Sequence, residues 1–320
     1  MRTRFRGITV REGVLFRGAA GWGEFSPFWD YDARQSAPWL HAAREAAEEG
    51  WPAPIRTSIP VNVTVPAVNP ERAAGIVRES NGCRTAKVKV AEPGQFRADP
   101  AAALAEDEAR VEAVRDALGP TGRIRIDVNG AWDVDTAVKA IQILNRYELE
   151  YVEQPCRTVE ELALLRRLVD VPIAADESIR HAEDFMRVAT LEAADIAVLK
   201  VQPLGGVRNC LRIAERLGLP VVVSSALETS VGLAAGIALA AALPELPYAC
   251  GLATAQLLTT DVTTKPLLPV DGHLPVRPVE CDPDMLAAFE APEEVRERWR
   301  MRLEQVRLEQ ASIVDVRRLS

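Results

Sequence analysis

Three acidic residues and one lysine each stand at the end of a short hydrophobic stretch. Successive members of this set are 23 to 26 residues apart, about the length of one strand, one helix and their loops. We therefore expect the four side chains to follow neighbouring strands of a parallel sheet and to converge at one end of it, where barrel enzymes place their chemistry. In chain order the residues are Asp127, Glu153, Asp176 and Lys200.

Converging carboxylates repel one another, so this set needs a cation. A hard divalent cation with oxygen ligands meets that need, and the sequence predicts a Mg²⁺ site, for which Mn²⁺ would also be suitable. Zinc is a poorer fit because the histidines, His41, His181 and His273, are scattered and no cysteines are closely spaced. A Mg²⁺ or Ca²⁺ ion with a purely structural role is the alternative interpretation of the three acids.

A pair of lysines precedes the acidic residues. Lys87 and Lys89 lie in the alternating stretch 85–90, so both side chains point to the same face of a predicted strand. An exposed strand face is the simpler explanation of such a pair. The acids that follow favour a functional explanation, because around a closed barrel Lys89 and Lys200 would stand on opposite sides of the metal ion.

This arrangement suits the removal of a proton next to a carboxylate. The enediolate formed in such a reaction carries two negative charges, and a divalent cation stabilises them as they develop. A lysine can act as the base when nearby positive charge favours the loss of its own proton. Lys87 and the metal ion would supply that charge beside Lys89. The predicted partner is accordingly a small-molecule carboxylate.

The elements that must position these residues alternate between strand and helix from about residue 59 onward. Eight strands with seven intervening helices predict an α/β fold, a (β/α)8 barrel of the TIM type. The predicted strands span 59–65, 85–90, 123–128, 150–154, 171–175, 195–200, 220–225 and 247–251. The predicted helices span 69–80, 100–118, 133–147, 158–169, 182–190, 206–217 and 229–242.

The rest of the chain is organised around this barrel. We predict three parts: the N-terminal part of a small α+β capping domain at 1–58, the barrel at 59–275, and a C-terminal segment at 276–320 that packs on the barrel or the cap. Gly21–Trp29 is rich in glycine and aromatic residues. Such a stretch is typical either of a hairpin corner with a small core of its own or of a flexible lid, and we take it as the candidate lid.

Composition argues against several classes of function. With a formal net charge of −8 and a pI of about 5.2, the chain of 320 residues is not expected to bind nucleic acid or an anionic membrane. No hydrophobic run approaches the roughly 20 residues of a membrane helix, and we expect no secretory signal. Five widely spaced cysteines are typical of a reducing compartment, so we expect a cytoplasmic enzyme. Monomer and homo-oligomer are both compatible with the sequence.

The order of these motifs resembles a known group of enzymes, the muconate-lactonizing subgroup of the enolase superfamily. Members of that superfamily use a lysine or histidine base together with Mg²⁺, which stabilises an enediolate. The resemblance therefore implies the barrel, the cofactor and the type of reaction. The motifs that carry it are Lys-x-Lys at 87–89, Asp-x-Asn at 127–129, Glu-Gln-Pro at 153–155, Asp-Glu-Ser at 176–178 and the lysine at 200.

Applied to this sequence, the resemblance implies roles for the lysines and the acids. Lys89 would take the proton next to the carboxylate and then help the hydroxyl group to leave. Lys200 would stabilise the enolate from the other face by a cation–π contact, and Lys87 would support Lys89. The implied Mg²⁺ ligands are Asp127, Glu153 and Asp176.

The resemblance also implies residues farther from the reacting atoms. Asn129 and Glu177 would support the metal ligands without touching the ion. Arg125 would reach the substrate carboxylates through water. The residues implied to receive the succinyl tail of the substrate are Ser225, Gly251 and Leu252, the last two through their backbone.

Three stretches narrow the resemblance within the subgroup. They are 59–66, 224–230 and 250–254. They imply the syn-dehydration of a succinyl-substituted hydroxycyclohexadiene carboxylate to an aromatic o-succinylbenzoate in menaquinone synthesis. The capping domain of the superfamily is usually larger than the segment 1–58, which leaves open which loop closes the cavity.

Two alternatives to this reaction stay open. A racemase of N-acylamino acids or an epimerase of dipeptides would also use two opposed lysines, although the Asp-x-Asp typical of the epimerases is absent at 250–252. A barrel that binds metal and ligand without turnover belongs to another functional class and would have no use for the lysines. Ser225 has a simpler explanation as well, since a serine at a strand end often caps the next helix.

Overall fold

The computed structural model describes residues 1–181 and 184–319, with side chains described as far as residue 311. The N-terminal part forms a small α+β unit. An antiparallel hairpin of β1 (Val14–Arg17) and β2 (Trp22–Phe25) packs against helix α1 (Ala33–Arg44), which continues as a π-helical turn at Glu45–Glu49. Gly23 permits this packing, because a Cβ atom there would lie 1.9 Å from the carbonyl oxygen of Ala43.

Seven parallel strands form the central sheet, and their order across the sheet follows their order along the chain. Their residues are almost all buried, as expected for a parallel sheet covered by helices. A short strand, β3 (Ser58–Pro60), precedes them. The seven strands are β4 (Val63–Val65), β5 (Thr85–Lys89), β6 (Arg123–Asp127), β7 (Leu149–Glu153), β8 (Ile173–Ala175), β9 (Ile196–Leu199) and β10 (Val221–Val223).

Helices connect these strands. Asp133 and Thr158 cap two of them with their side chains. Around the sheet run α2 (Pro70–Arg78), α3 (Pro93–Ala98), α4 (Pro100–Leu118), α5 (Val134–Leu144), α6 (Val159–Arg166), α7 (Glu177–Arg180), α8 (Met186–Thr190), α9 (Val207–Leu217) and α10 (Ser230–Ala242). Of the predicted helix 182–190, the first two positions lie outside the described residues.

The predicted eighth strand at 247–251 is reduced to two bridging residues. Cys250 pairs with Val61 and Gly251 with Ser224, both in parallel. Their backbone hydrogen bonds reach both edges of the sheet: the Cys250 N–H donates to Pro60 O at 2.7 Å and the Gly251 N–H donates to Val223 O at 2.8 Å. The ring of strands is therefore closed at this point, and the predicted TIM-type α/β fold is confirmed.

The C-terminal part returns to the N-terminal unit. It contains β11 (His273–Pro275), which pairs antiparallel with β3, and helices α11 (Pro283–Ala288) and α12 (Glu293–Leu319). Helix α12 packs on α1, and its buried Trp299 meets Phe25 edge to face at 5.9 Å. The division of the chain at 58 and 275 stays a prediction. Among the described residues, we find no helix whose length and apolarity would let it cross a bilayer.

Arg302 joins α12 to the N-terminal unit. Its buried guanidinium donates to the carbonyl oxygens of Phe28 at 2.6 Å and Tyr31 at 2.7 Å, and to Ser36 Oγ at 3.1 Å. A further bond reaches Pro27 O at 3.2 Å. Hydrogen bonds from a charged donor are stronger than neutral ones, so this side chain should contribute to the stability of the cap.

We predict that Arg302→Leu lowers the free energy of unfolding by about 3 kcal/mol, since several buried carbonyl groups lose their donor. Chemical unfolding followed by tryptophan fluorescence measures the change. The matched control is Arg300→Leu on the same helix, where the side chain is 63% exposed and pairs with the surface residues Glu293 and Glu297. Equal stability losses in the two variants would contradict the assignment.

Candidate active site

Backbone register places the first of the predicted site residues side by side. Lys89 lies opposite Asp127 where β5 pairs with β6, and Asp127 lies opposite Glu153 where β6 pairs with β7. Asp176 comes directly after β8 and Lys200 directly after β9. Since the strands are parallel, all five residues lie at the same end of the sheet, as the spacing predicts.

A cavity of about 700 Å³ opens at this end, between the sheet and the N-terminal unit. The N-terminal unit contributes aromatic walls, among them Phe28, which belongs to the candidate lid, and Phe5 and Tyr31, which sequence reasoning missed. Glu153 and Asp176 are fully buried beneath the cavity lining. The predicted site residues that line the cavity are Lys87, Lys89, Asp127, Asn129, Glu177, Lys200, Ser225 and Gly251.

Each predicted lysine is paired with one of the predicted acids. The Nζ of Lys89 donates to Asp127 Oδ2 at 2.5 Å, and the Nζ of Lys200 donates to Asp176 Oδ2 at 2.5 Å. Lys87 is the most buried of the three lysines, and its Nζ donates to both carboxylate oxygens of Glu153, at 2.9 and 3.0 Å. The buried charges are thereby compensated within hydrogen-bonding distance.

These pairings move the pKa values of the acids in opposite directions. Burial alone would raise the pKa of Asp127, but Lys89 and Lys87 outweigh it and hold the value at about 2. Arg180 and Lys200 overcome burial in the same way and keep the pKa of Asp176 far below its usual range. Burial and the neighbouring Asp127 raise the pKa of Glu153 to about 7 in spite of Lys87.

Lys87 remains a fixed positive charge in this network. Burial alone would lower its pKa, yet the carboxylates of Glu153 and Asp127 raise the value above that of a free lysine. Asp127 lies 3.5 Å from the Lys87 Nζ. Lys87 is therefore well placed to act as a permanent cation behind Lys89, the supporting role that the sequence implies for it.

Asn129 and Glu177 connect the two halves of the site. The Lys89 Nζ also donates to Asn129 Oδ1 at 2.7 Å, and Asn129 Nδ2 donates to Glu177 Oε1 at 3.1 Å. Arg180, which sequence reasoning missed, donates to Asp176 at 2.9 Å and to Glu177 at 2.5 Å. The missed signal was the spacing of four residues between Asp176 and Arg180, which brings the two together at the start of a helix.

The position of Arg125 does not fit its implied role, which was to reach the substrate carboxylates through water. Arg125 points to the same side of β6 as Asp127 but lies two residues deeper in the barrel, and it is fully buried. Its guanidinium donates to Glu150 at 2.5 Å and to Ala249 O at 2.6 Å, and it stacks on Tyr151 at 4.7 Å. Arg125 therefore fills the barrel interior below the cavity rather than lining it.

The predicted tail-binding residues are only partly brought together. Ser225 Oγ shares a hydrogen bond of 2.6 Å with Thr254 Oγ1, and both residues line the cavity together with Gly251. Leu252 does not line it, because its side chain packs behind the wall, where a Cβ atom on Gly236 would lie 2.7 Å from Leu252 Cδ2. A contribution of Leu252 would be limited to its backbone.

The candidate lid is also corrected. Trp22–Phe25 is strand β2, and its last two residues are buried, so most of Gly21–Trp29 forms the hairpin corner with a small core of its own. The tight turn around Arg6 and Gly7 also reaches the cavity, and the ring of Phe5 beside it stands 5.7 Å from the Lys89 Nζ. Of the two glycines in this segment, Gly23 permits close packing on α1, and Gly21 takes a φ of +143° between the two strands of the hairpin.

The three buried acids of the site are candidate ligands of a metal ion. Among the described residues, no three histidine, cysteine or acidic side chains are gathered closely enough to hold a metal as they stand. The donor set nevertheless fits a hard cation, since three buried carboxylates follow neighbouring strands and Asp127 and Asp176 both act on the pKa of Glu153. Binding would require Lys89 and Lys200 to release the carboxylates they now hold.

The use of lysine itself is a signal that sequence reasoning missed. The chain has only five lysines among its 38 basic residues, at 87, 89, 139, 200 and 265. Three of the five line this cavity. A chain that uses arginine nearly everywhere else thus has lysine where an amine can exchange a proton, which arginine does not do in proteins.

Comparisons with known proteins agree with this geometry. Residues 71–280 match the family described as enolase C-terminal domain-like, and residues 1–47 match that described as enolase N-terminal domain-like. The o-succinylbenzoate synthase of Thermobifida fusca is 70% identical over 290 residues, 91% of this chain and 89% of the relative. That of Mycolicibacterium smegmatis is 56% identical over 300 residues, 93% of this chain and 90% of the relative.

Solved structures show the same fold. Muconate cycloisomerase from Pseudomonas fluorescens is 25% identical, with a TM-score of 0.70 over 87% of this chain and 93% of that chain. A dipeptide epimerase from Enterococcus faecalis is 23% identical, with a TM-score of 0.69 over 83% of this chain and 92% of that chain. The combination of barrel and cap described above is therefore found in experimental structures.

We predict that Lys87→Met destabilises the metal-free protein by about 3 to 5 kcal/mol at pH 8, because Glu153 is left charged and unpaired in the interior. At pH 5 the loss should be smaller, since a carboxyl group with a pKa of about 7 is then protonated. Chemical unfolding at the two pH values in the presence of EDTA measures both losses.

Lys89→Met is the matched control for this prediction. Its side chain is 19% exposed, and Asp127 would retain Lys87 at 3.5 Å. The loss should therefore be smaller than for Lys87→Met at pH 8. If the two variants lose the same stability at both pH values, the pairing of Lys87 with Glu153 does not have the importance assigned to it.

Proposed function

The chain belongs to the o-succinylbenzoate synthases, a family of lyases in the enolase superfamily, and we propose that the site described above carries out their reaction with Mg²⁺ as cofactor. The proposed substrate is 2-succinyl-6-hydroxy-2,4-cyclohexadiene-1-carboxylate, which loses water by syn-elimination to give o-succinylbenzoate. The observation that carries the proposal is that Lys89 and Lys200 line one cavity, each beside a buried acid.

The proposed metal ligands are Asp127, Glu153 and Asp176. When bound, Mg²⁺ supplies the positive charge that stabilises the enediolate. Mn²⁺ should serve in its place, because it accepts the same oxygen ligands. Asn129 and Glu177 hold the surrounding side chains through the hydrogen bonds that link Lys89 to Arg180.

Lys89 is the proposed base and acid. Its unprotonated Nζ accepts the proton from the ring carbon that bears the carboxylate, and the electron pair of that C–H bond enters the enediolate. The resulting ammonium returns the proton to the hydroxyl group as the C–O bond breaks, so water leaves and the ring becomes aromatic. One amine can serve both steps because in a syn-elimination the two groups leave from the same face.

Lys200 and the cavity wall position the ring and its tail. Lys200 stays a cation on the opposite face, where it attracts the electron-rich enediolate. Lys87 remains a cation beside Glu153 beneath the site. Because it keeps its proton, it does not act as a second base. Ser225, Gly251 and Thr254 form the wall that receives the succinyl tail, with hydroxyl groups and an open backbone as hydrogen-bonding partners.

The proposed setting follows from the product. o-Succinylbenzoate is a precursor in menaquinone biosynthesis, and we place the reaction in the cytoplasm. The cysteines of the chain are free, and four of the five are buried, which supports a reducing compartment. The partner is the small-molecule carboxylate itself.

Racemisation of N-acylamino acids is a second candidate activity. Its support is that Lys89 on strand β5 and Lys200, directly after strand β9, reach the same cavity, which suits proton exchange by two bases. The binding alternative without turnover is not supported, because the relatives above are lyases. Incorporation of deuterium from D₂O into N-succinylamino acids would support racemisation, and its absence during rapid dehydration would exclude it.

We predict that Lys89→Ala lowers kcat by at least about 10²-fold to 10⁴-fold, the usual contribution of a general base, and that EDTA abolishes turnover until Mg²⁺ is restored. The assay follows loss of the diene and formation of product by mass spectrometry. Lys139→Ala, an exposed lysine on α5, is the control and should keep normal activity. Normal turnover by Lys89→Ala would remove the assigned base.

We also predict that the affinity for Mg²⁺ rises with pH up to about 7 and then levels off. The carboxyl group of Glu153, whose pKa is about 7, must lose its proton to bind the ion, so affinity should rise about tenfold per pH unit below that value. Calorimetry between pH 5.5 and 8.5 measures this directly. An affinity independent of pH, or one that Glu153→Gln leaves unchanged, would contradict the ligand assignment.

A further inference from the structure

The cavity wall at residues 225–229 is held in an unfavourable conformation. Leu227 has a φ of +66°, in the left-handed region that bulky side chains seldom adopt. Ser225, Ala226 and Leu227 all line the cavity on the side assigned to the substrate tail. Such a backbone conformation persists only where neighbouring groups impose it, so contacts around the loop must hold Leu227 in place.

Two of the hydrogen bonds that hold the loop are formed between residues of the loop itself. The Leu227 N–H donates to Ser225 Oγ at 3.2 Å, and the Ala226 N–H donates to the buried carboxylate of Glu228 at 2.8 Å. These bonds satisfy the amide groups of the turn. The carbonyl groups of Ala226 and Leu227 are satisfied from elsewhere.

The donor to both carbonyl groups is Arg11 of the N-terminal unit. Its Nε donates to Leu227 O at 2.9 Å and its Nη2 reaches Ala226 O at 3.4 Å. The same guanidinium donates to Ser26 Oγ at 3.0 Å and lies over the ring of Phe28 at 4.5 Å. Arg11 thus joins the loop to two residues next to the end of β2.

The second link is Glu24, on strand β2. Its buried carboxylate accepts from Thr229 N–H at 3.1 Å and Thr229 Oγ1 at 2.5 Å, and from Gly232 N–H at 3.0 Å. It also accepts from Ser26 Oγ at 2.6 Å. A carboxylate of the cap therefore binds the N-terminus of barrel helix α10, where negative charge is favoured, immediately after the loop.

We propose that Arg11 and Glu24 are positioning residues that shape the tail-binding wall of the cavity by holding the 225–229 loop from the cap. The identity of the substrate tail rests on the proposed function, whereas the contacts that hold the loop are those of the structure. The substrate specificity of the cavity therefore depends on how the cap packs against the barrel. A change in the cap can alter the pocket for the tail without altering a residue that touches it.

A matched control exists elsewhere between cap and barrel. Glu45, in the π-helical turn, is equally buried and accepts from the N–H groups of Val207 at 2.6 Å and Arg208 at 3.1 Å, at the N-terminus of α9. It binds a barrel helix as Glu24 does. Neither Val207 nor Arg208 lines the cavity.

The experiment compares Arg11→Lys, Glu24→Gln and Glu45→Gln in the full-length, Mg²⁺-supplemented protein. In Arg11→Lys the positive charge is kept, but the ammonium group cannot bond the carbonyl groups of Ala226 and Leu227 together with Ser26. In Glu24→Gln the new amide N–H groups face the hydroxyl and N–H donors that the carboxylate now accepts from. For the first two variants we expect KM to rise about tenfold with kcat within about threefold of normal. Amide hydrogen exchange should become faster in 224–232. Glu45→Gln should lower the melting temperature and leave KM unchanged.

The outcomes separate the two proposals. If the unaltered protein does not dehydrate the diene, the proposed function fails, while hydrogen exchange still tests whether Arg11 and Glu24 hold the loop. Unchanged exchange in 224–232 overturns the inference whatever the activity. A KM that stays normal in both cap variants, or that rises equally in Glu45→Gln, overturns it as well.

Discussion

The site depends on the balance of opposite charges in a space that water scarcely reaches. Asp127, Glu153 and Asp176 are at most 1% exposed, and a buried carboxylate without a partner would cost several kcal/mol. Lysine ammonium groups provide the compensation in the structure described here. The same carboxylates are the proposed ligands of Mg²⁺, so the ion and the lysines compete for them. Binding of the ion would therefore free the amines of Lys89 and Lys200 at the moment that it completes the site.

The fold serves this balance by setting the positions of the charges. Parallel strands place Lys89, Asp127 and Glu153 at matched positions on neighbouring strands, and hydrophobic residues pack on the outer face of the sheet. The backbone at Cys250 and Gly251 connects the edges of the sheet, so the lysines on β5 and after β9 face a common cavity. The cap then covers the cavity and, through Arg11 and Glu24, reaches the loop on its far side.

Much of this arrangement can be predicted from the sequence, because spacing along a repeated strand–helix unit determines which residues meet at one end of a barrel. The acids and the lysines were predicted on that basis, whereas Asn129 and Glu177 were implied by the resemblance to the enolase superfamily. The errors have physical causes. Depth along a strand is not visible in an alternating pattern, so Arg125 shares a face with Asp127 but lies deeper in the barrel. Two bridging residues, Cys250 and Gly251, are sufficient to close the ring of strands. The eighth strand is therefore shorter than the hydrophobic stretch at 247–251 suggests.

Contributions from distant segments could not be predicted. Phe5, Tyr31 and Arg11 act through tertiary contacts with residues far along the chain, and nothing in their local sequence points to the barrel. Glycines at 21 and 23 are compatible with a hairpin corner as readily as with a flexible lid, so composition alone could not show that most of Gly21–Trp29 forms the corner.

A crystal structure of the protein with Mg²⁺ bound would show directly whether the ion displaces the lysines from these carboxylates. We expect one ion held by Asp127, Glu153 and Asp176, with the amines of Lys89 and Lys200 released from these acids and facing the cavity. An ion bound elsewhere, or lysines that keep their present pairings while the ion is bound, would contradict it.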